Sequence, residues 1–177
     1  MSNIFYTSDL HLSHTRIIEL CSRPFKGPRD MDATIIHRWN EKVRSKDKVF
    51  INGDFSLRKH GYSEWYEGLL KKLNGRKILI LGNHDYLKPF DYVDMGFESV
   101  HTSFLMEDKK IFIAHDPALA VCMPPGWKMI CGHIHNSFKM LTDPNLILNV
   151  GVDVWDFYPV SQEEVDACFE AAQNKGK

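Results

Sequence analysis

The sequence predicts an α/β domain built of packed layers, and two observations carry that prediction. Short apolar runs recur along the chain with segments of helical periodicity between them, and five of the runs lead directly into Asp, Asn or His. Strands that alternate with helices form mainly parallel sheets covered by helices. Ligand-binding residues in such sheets collect at the carboxyl ends of the strands.

The apolar runs occupy residues 4–7, 49–52, 78–81, 111–114, 129–131 and 146–150. Each is mostly apolar rather than alternating, the pattern of a strand buried on both faces. A first helix is predicted through about Leu20 with Ser13 as its cap. Ile35, Ile36, Trp39 and Val43 mark one face of a second. A third spans 62–73 and stops at Asn74-Gly75, and Ser161-Gln162-Glu163-Glu164 has the form of a capping box that opens a last helix toward Gln173. Residues 24–28 and 124–126 read as loops, and 174–177 as a frayed end.

The chain has 177 residues, about one domain at roughly 100–200 residues each. With 44% hydrophobic and 25% charged residues, disorder is excluded. The net charge of −1 provides no global attraction to nucleic acid or an anionic membrane. No apolar run approaches the ~18 residues of a membrane span. The first five residues have neither a basic leader nor a long apolar stretch, so a secretion signal is not expected. Cys21, Cys122, Cys131 and Cys168 form no CxxC pair and are expected to be reduced, buried thiols of a cytoplasmic protein.

The chemistry is predicted at the strand ends. Run 4–7 leads into Asp9-Leu10-His11, 49–52 into Gly53-Asp54, and 78–81 into Gly82-Asn83-His84-Asp85. Run 111–114 leads into His115, and 129–131 into Gly132-His133-Ile134-His135. On extended chain, residues i and i+2 point the same way, so Asp9 with His11, and His133 with His135, are expected to face one site. Gly53, Gly82 and Gly132 permit tight turns or close backbone approach before the ligands. Taken singly, each block has a bland reading: Gly-Asp is commonly a turn, and Asn-His-Asp could hold an αL asparagine. Their shared placement argues for one site. His37, His60 and His101 are read as surface residues; His14 follows the first block closely and could touch substrate, with an exposed helix start as the simpler reading.

This ordered set resembles the calcineurin-like metallophosphoesterase superfamily, and residues 149–155 (Asn-Val-Gly-Val-Asp-Val-Trp) resemble its compact bacterial and phage-encoded members. The resemblance implies one domain over residues 1–177, folded as a four-layer sandwich of two mixed β-sheets flanked by helices. It implies one metal held by Asp9, His11, Asp54 and His135, and another held by Asp54, Asn83, His115 and His133, with Asp54 bridging. His84 would act near substrate as a general acid, oriented by Asp85. The implied reaction is hydrolysis of a phosphodiester or phosphomonoester by in-line attack of a metal-bridging hydroxide. Two divalent ions against two carboxylates and that hydroxide leave a net positive site, suited to an anionic phosphate. Imidazole and carboxylate ligands without thiolate favour Mn, Fe, Zn or Ni over soft metals, with the choice among them set by geometry and availability; Mn is the first expectation.

A small phosphorylated or nucleotide-type substrate is the expected partner, with no membrane association. A nuclease is the alternative, although the Lys and Arg groups at 42–48 and 71–77 look like solvated faces rather than a basic stripe. A zinc amidohydrolase or lactamase is disfavoured, because the chain is short for a (β/α)₈ barrel of about 250 residues. A non-catalytic interaction module would have lost ligands or the catalytic His, and here all are present. Phe55, Trp127, Trp155, Phe157 and Tyr158 are candidate pocket walls, with core packing as the simpler reading. Arg23, Arg29 and Arg58 are candidate phosphate grips by residue type alone.

Overall fold

Alternate residues of the apolar strands serve two different cores, and this organises the molecule. A computed structural model of the protein describes residues 2–57 and 63–175. The first sheet comprises β1 (Ile4–Thr7), β2 (Lys48–Asn52), β3 (Arg76–Ile80), β4 (Ser99–His101) and β10 (Val160–Ser161). The second comprises β5 (Phe104–Met106), β6 (Ile111–Ile113), β7 (Lys128–Cys131), β8 (Met140–Leu141) and β9 (Ile147–Asn149). Their orders are β10-β1-β2-β3-β4 and β5-β6-β7-β9-β8. Within the first sheet β1 to β4 run parallel, with Thr7 beside Ile51, Ile51 beside Leu79 and Leu79 beside Val100. The strand β10 is antiparallel. The second sheet sets β6, β7 and β9 parallel, with Ile113 beside Ile130, and flanks them with antiparallel β5 and β8. Both sheets are therefore mixed.

Phe5, Val49, Ile51 and Leu79 face one side of the first sheet. There they pack against α1 (Thr15–Leu20), α2 (Pro28–Lys42), α3 (Ser63–Leu70) and α4 (Pro89–Asp94) through Ile17, Met31, Trp39, Tyr66 and Tyr92. Tyr6, Phe50, Ile78 and Ile80 face the other way and meet Ile111, Ile113, Ile130 and Leu148 between the sheets. Val165 and Phe169 of α5 (Gln162–Lys175) join that inner core. The outer face of the second sheet carries Phe112, Met129 and Ile147. It is covered by the 3₁₀ turn Pro117–Cys122 and by Met123, Trp127 and Phe138 rather than by a long helix.

Several element ends depart from expectation for local reasons. Pro28 does not end a loop but opens α2, where its missing N–H costs nothing and its φ is already helical. His14, not Ser13, is the N-cap residue of α1, because Ser13 gives its N–H and hydroxyl to Asp32 at 2.8 and 2.6 Å. The capping box of α5 forms as read: Glu164 N–H donates to Ser161 Oγ, and Ser161 N–H to the Glu164 carboxylate. That helix continues to Lys175, so 174–175 are helical rather than frayed. Arg58, His60, Tyr62, Gly176 and Lys177 lie outside the described residues. All four cysteines are free, but only Cys131 is buried, and Cys122 is exposed. Among the described residues no helix is long and apolar enough to cross a membrane.

Trp39 fixes how α2 sits on the sheet. It is 1% exposed, and its indole N–H donates to the Asn74 carbonyl at 2.9 Å, tying the helix to the turn before β3. Trp39→Ala should therefore cost about 3–5 kcal/mol, read as a lowered urea midpoint at unchanged slope. A loss below 1 kcal/mol would show that this contact does not anchor α2.

Candidate metal centre

Five of the central strands carry the expected site residues to one place. Asp9 follows β1, Asp54 follows β2, Asn83 follows β3, His115 follows β6, and His133 and His135 follow β7. Parallel strands in each sheet bring these ends to a common edge. A bridge between Ser8 and Gly151 stitches the two sheets together there.

The local geometry is not the extended chain that the i, i+2 spacing implied. Asp9, His11, Asp54, His133 and His135 have φ of 56°, 47°, 56°, 72° and 48°, all left-handed. Asp and His tolerate this region better than most residues, yet it still costs energy. Backbone hydrogen bonds hold the turns in place: Asp9 and His11 N–H donate to the carbonyls of Gly53 and Asp54 at 3.1 and 2.9 Å. The glycines act chiefly by close approach. A Cβ on Gly82 would collide with the Asp54 carboxylate and meet Asp54 N at 2.6 Å, and one on Gly53, itself at φ +88°, would enter the His115 ring.

The side chains converge. Asp54 Oδ2 lies 3.4 Å from His11 Nε2 and 3.5 Å from His115 Nε2. Asn83 Oδ1 lies 3.2 Å from His115 Nε2 and 2.9 Å from His133 Nδ1. The His11 and His135 rings stack at 5.2 Å. Ligand atoms of Asp9, His11 and His135 fall within 4.8 Å of one another, as do those of Asp9, Asp54 and His115. All seven expected ligands thus border one centre.

The electrostatics of the centre are set by burial and by the carboxylates and imidazoles acting on one another. Burial pushes the Asp54 carboxyl up, but His115, the His84 amide and His11 together bring it down to about 2. Burial opposes charging of His115, yet Asp54 and Asp9 prevail and raise it to about 9. Burial drives His11 down to about 3 against the pull of Asp54. Asp9 is raised, chiefly by burial. Neither His11 ring nitrogen has a hydrogen-bond partner, though both are buried. A buried lone pair and N–H without partners are costly, and a cation beside His11 and the Asp54 carboxylate would resolve that cost. The Asp, Asn and His donor set fits divalent transition metals.

A layer of supporting residues sets the imidazoles. His115 Nδ1 must donate to the Asn52 carbonyl, 2.7 Å away, which turns Nε2 toward the centre. His135 Nδ1 lies 3.1 Å from Asp153 Oδ2, with Asp153 on the turn after β9. Arg23 binds both Asp153 oxygens at 2.8 and 2.9 Å and donates to the Asp9 and Leu10 carbonyls at 2.7 and 3.1 Å. Its side chain is 0% exposed, so Arg23 is a buried brace and not a phosphate grip. Asn149 Nδ2 donates to the His135 carbonyl at 2.7 Å.

His84 stands at the rim. Its N–H donates to Asp54 Oδ1 at 2.9 Å, its ring lies 5.5 Å from that of His11, and its Nδ1 is 2.8 Å from the Tyr86 hydroxyl. Asp85 makes no hydrogen bond to that ring. Its carboxylate accepts from the backbone N–H of Gly82, Asp54 and Phe55 at 2.8, 2.9 and 3.2 Å, so any influence on His84 passes through the loop. The aromatic pocket walls do not materialise. Phe55 and Phe157 belong to the core, Trp127 packs on the second sheet, Trp155 donates to Asn149, and Tyr158 donates to Glu41. Asp153, Asn149 and Tyr86 were not foreseen. Asn149 ends the strand of the apolar run 146–150 and Asp153 follows it, so the rule that found the other strand ends applied there as well.

The sequence model of the calcineurin-like phosphoesterase family matches residues 2–137. The chain is 32% identical to an uncharacterized protein of Methanocaldococcus jannaschii, over 100% of this chain and 94% of that one. It is 30% identical to the gene 66 protein of Mycobacterium phage D29, over 92% and 94% of the two chains. A protein of unknown function from Aquifex aeolicus shares the fold at TM-score 0.71 and 23% identity, covering 94% of this chain and 99% of that one. A nuclease from Pseudomonas putida shares it at TM-score 0.53 and 18% identity, covering 83% and 74%.

Two substitutions test this geometry. Gly82→Ala should keep the fold by circular dichroism but bind Mn²⁺ far more weakly in calorimetry, since its Cβ displaces Asp54; wild-type binding would refute the close-approach argument. Asp153→Asn should lower metal affinity about 10–100-fold by freeing His135. Unchanged affinity would remove Asp153 from the site.

Proposed function

Because the chain belongs to the calcineurin-like phosphoesterase family, we propose that it is a binuclear metal-dependent phosphoesterase. The observation that carries this reading is the Asp54 carboxylate oxygen within 3.5 Å of imidazoles from two separate ligand groups. That is the placement a bridging ligand requires. Asp9, His11, Asp54 and His135 would hold one divalent ion, and Asp54, Asn83, His115 and His133 the other, with Mn the first choice and Fe, Zn or Ni alternatives. Such a pair would supply Lewis acidity toward the phosphoryl oxygens and the attacking water.

The chain's own residues supply orientation and a proton. His84 is tied to Asp54 through its backbone and to Tyr86 through Nδ1. A hydroxyl donating to Nδ1 leaves the proton on Nε2, where it can pass to the leaving oxygen. Asp85 pins the loops of Asp54 and Asn83 to each other, which keeps the His84 ring registered against the ligands. Beside Asn83, His115 and His133 a cleft of about 220 Å³ opens against Thr102, Asp116 and Leu119. Its size favours a small phosphoester.

A nuclease is the second reading, and one observation favours it. A larger cleft of about 450 Å³ between α2 and α3 begins at Ser13, two residues past His11, and carries Arg29, Trp65 and Lys72. Cationic and aromatic side chains along a groove suit a nucleic-acid strand.

The metal-reconstituted protein should hydrolyse at least one member of a panel of phosphomonoesters, phosphodiesters, cyclic nucleotides and single-stranded DNA. His84→Ala should retain both ions and lose about 10²–10⁴-fold in kcat, while Asp54→Ala should lose both ions by elemental analysis. Full turnover without His84, or two ions without Asp54, would overturn those roles. Hydrolysis of an amide or lactam alone would overturn the reading itself.

A further inference from the structure

The rim of the centre holds a second imidazole to which the reading above gives no task. His14 caps α1 without any side-chain capping bond. Its ring centroid lies 5.6 Å from that of His11, and the His84 ring lies 5.5 Å from the same ring. His14 and His84 therefore both flank a single candidate ligand.

Two features fix which atom of His14 is available. Its Nδ1 is buried and has no hydrogen-bond partner. A buried N–H without an acceptor is rarer and costlier than a buried lone pair, so the neutral ring carries its proton on Nε2, on the edge away from the buried side. The turn that bears the ring is also held. Ser13, at φ 61°, donates its N–H and hydroxyl to the two Asp32 oxygens of α2 at 2.8 and 2.6 Å. Such a tether suits a side chain that must meet something not supplied by its own fold.

We propose that His14 is a substrate-binding residue whose Nε2–H donates to a non-bridging oxygen of a phosphoryl group seated at the centre. This rests on the phosphoesterase reading and deepens it. A neutral donor stabilises the anionic oxygen without adding a cation that competes with metal. The ligand class is a tetrahedral oxyanion, and the contact is indifferent to what the phosphate is esterified to.

The test uses the Mn²⁺-loaded protein and inorganic phosphate as probe, with His14→Ala, His14→Gln and His14→Asn compared by calorimetry and elemental analysis. His14→Ala should keep its metal and bind phosphate roughly 10–100-fold more weakly. Gln, whose amide nitrogen reaches the Nε2 position, should recover much of that loss, whereas Asn, whose amide reaches only the Nδ1 position, should not. In turnover the Ala and Asn variants should lose kcat/KM in the same order.

Equal phosphate binding by all four proteins, or loss of metal in His14→Ala, would overturn the proposal and leave the phosphoesterase reading standing. Phosphate binding that follows the predicted order in a protein that cleaves no phosphoester would support His14 and sink that reading. A loaded wild-type protein that binds no phosphate would sink both.

Discussion

The fold is arranged around buried carboxylates that have no sufficient partner of their own. Asp9 and Asp54 are 0% and 1% exposed, and the groups turned toward them are mostly imidazole nitrogens rather than guanidinium or ammonium. Burying an ionised carboxylate is expensive unless it is paired and hydrogen-bonded. His115 gives Asp54 one such partner, but His11 is held neutral by burial with both nitrogens unsatisfied. Among the described residues the cationic side chain braced into this region, Arg23, spends itself on Asp153 and on backbone carbonyls. A surplus of lone pairs facing inward is a poor core and a good cation site.

That surplus explains why the backbone is shaped as it is. Five of the seven expected ligands sit in the left-handed region, at a cost of order 1 kcal/mol or more each. Straight extended chain would alternate side chains across the sheet, and a sharp left-handed turn after the strand brings them inward over its end. The hydrogen bonds from Asp9 and His11 to Gly53 and Asp54 make the two turns support each other. Asp85 does the same for the loops of Asp54 and Asn83 by accepting three backbone amides. Strain at one loop is thus offset by bonds to the next, and glycines appear where loops come too close for a side chain.

How much of this was legible in the sequence follows from burial. The six strands recognised as apolar runs are β1, β2, β3, β6, β7 and β9, all central. The four not recognised, β4, β5, β8 and β10, are the sheet edges, two or three residues long and largely half-exposed, so they carry no apolar run. The ligands were legible because each follows a central strand. The turn conformation was not, because Asp-x-His is compatible with both extended and left-handed backbone, and the choice is made by loops 40 or more residues away. Asp85 shows the same limit: its adjacency to His84 suggested a contact with that ring, whereas its partners are backbone amides of three other residues.

Arg23 is the clearest case of a role that only tertiary structure assigns. By residue type it resembles a phosphate grip, and it lies 14 residues from one carbonyl it holds and 130 from the carboxylate it pairs with. Its charge is consumed in the interior, and its effect at the centre is steric and directional: it fixes Asp153, which fixes the His135 ring, and it holds the turn that carries Asp9. A lysine could not reproduce this, since one ammonium cannot present two parallel donors to a carboxylate and further donors to two carbonyls. The support layer and the expected ligand set are in this sense one device, with the buried charge of Arg23 used to aim the side chains of the centre.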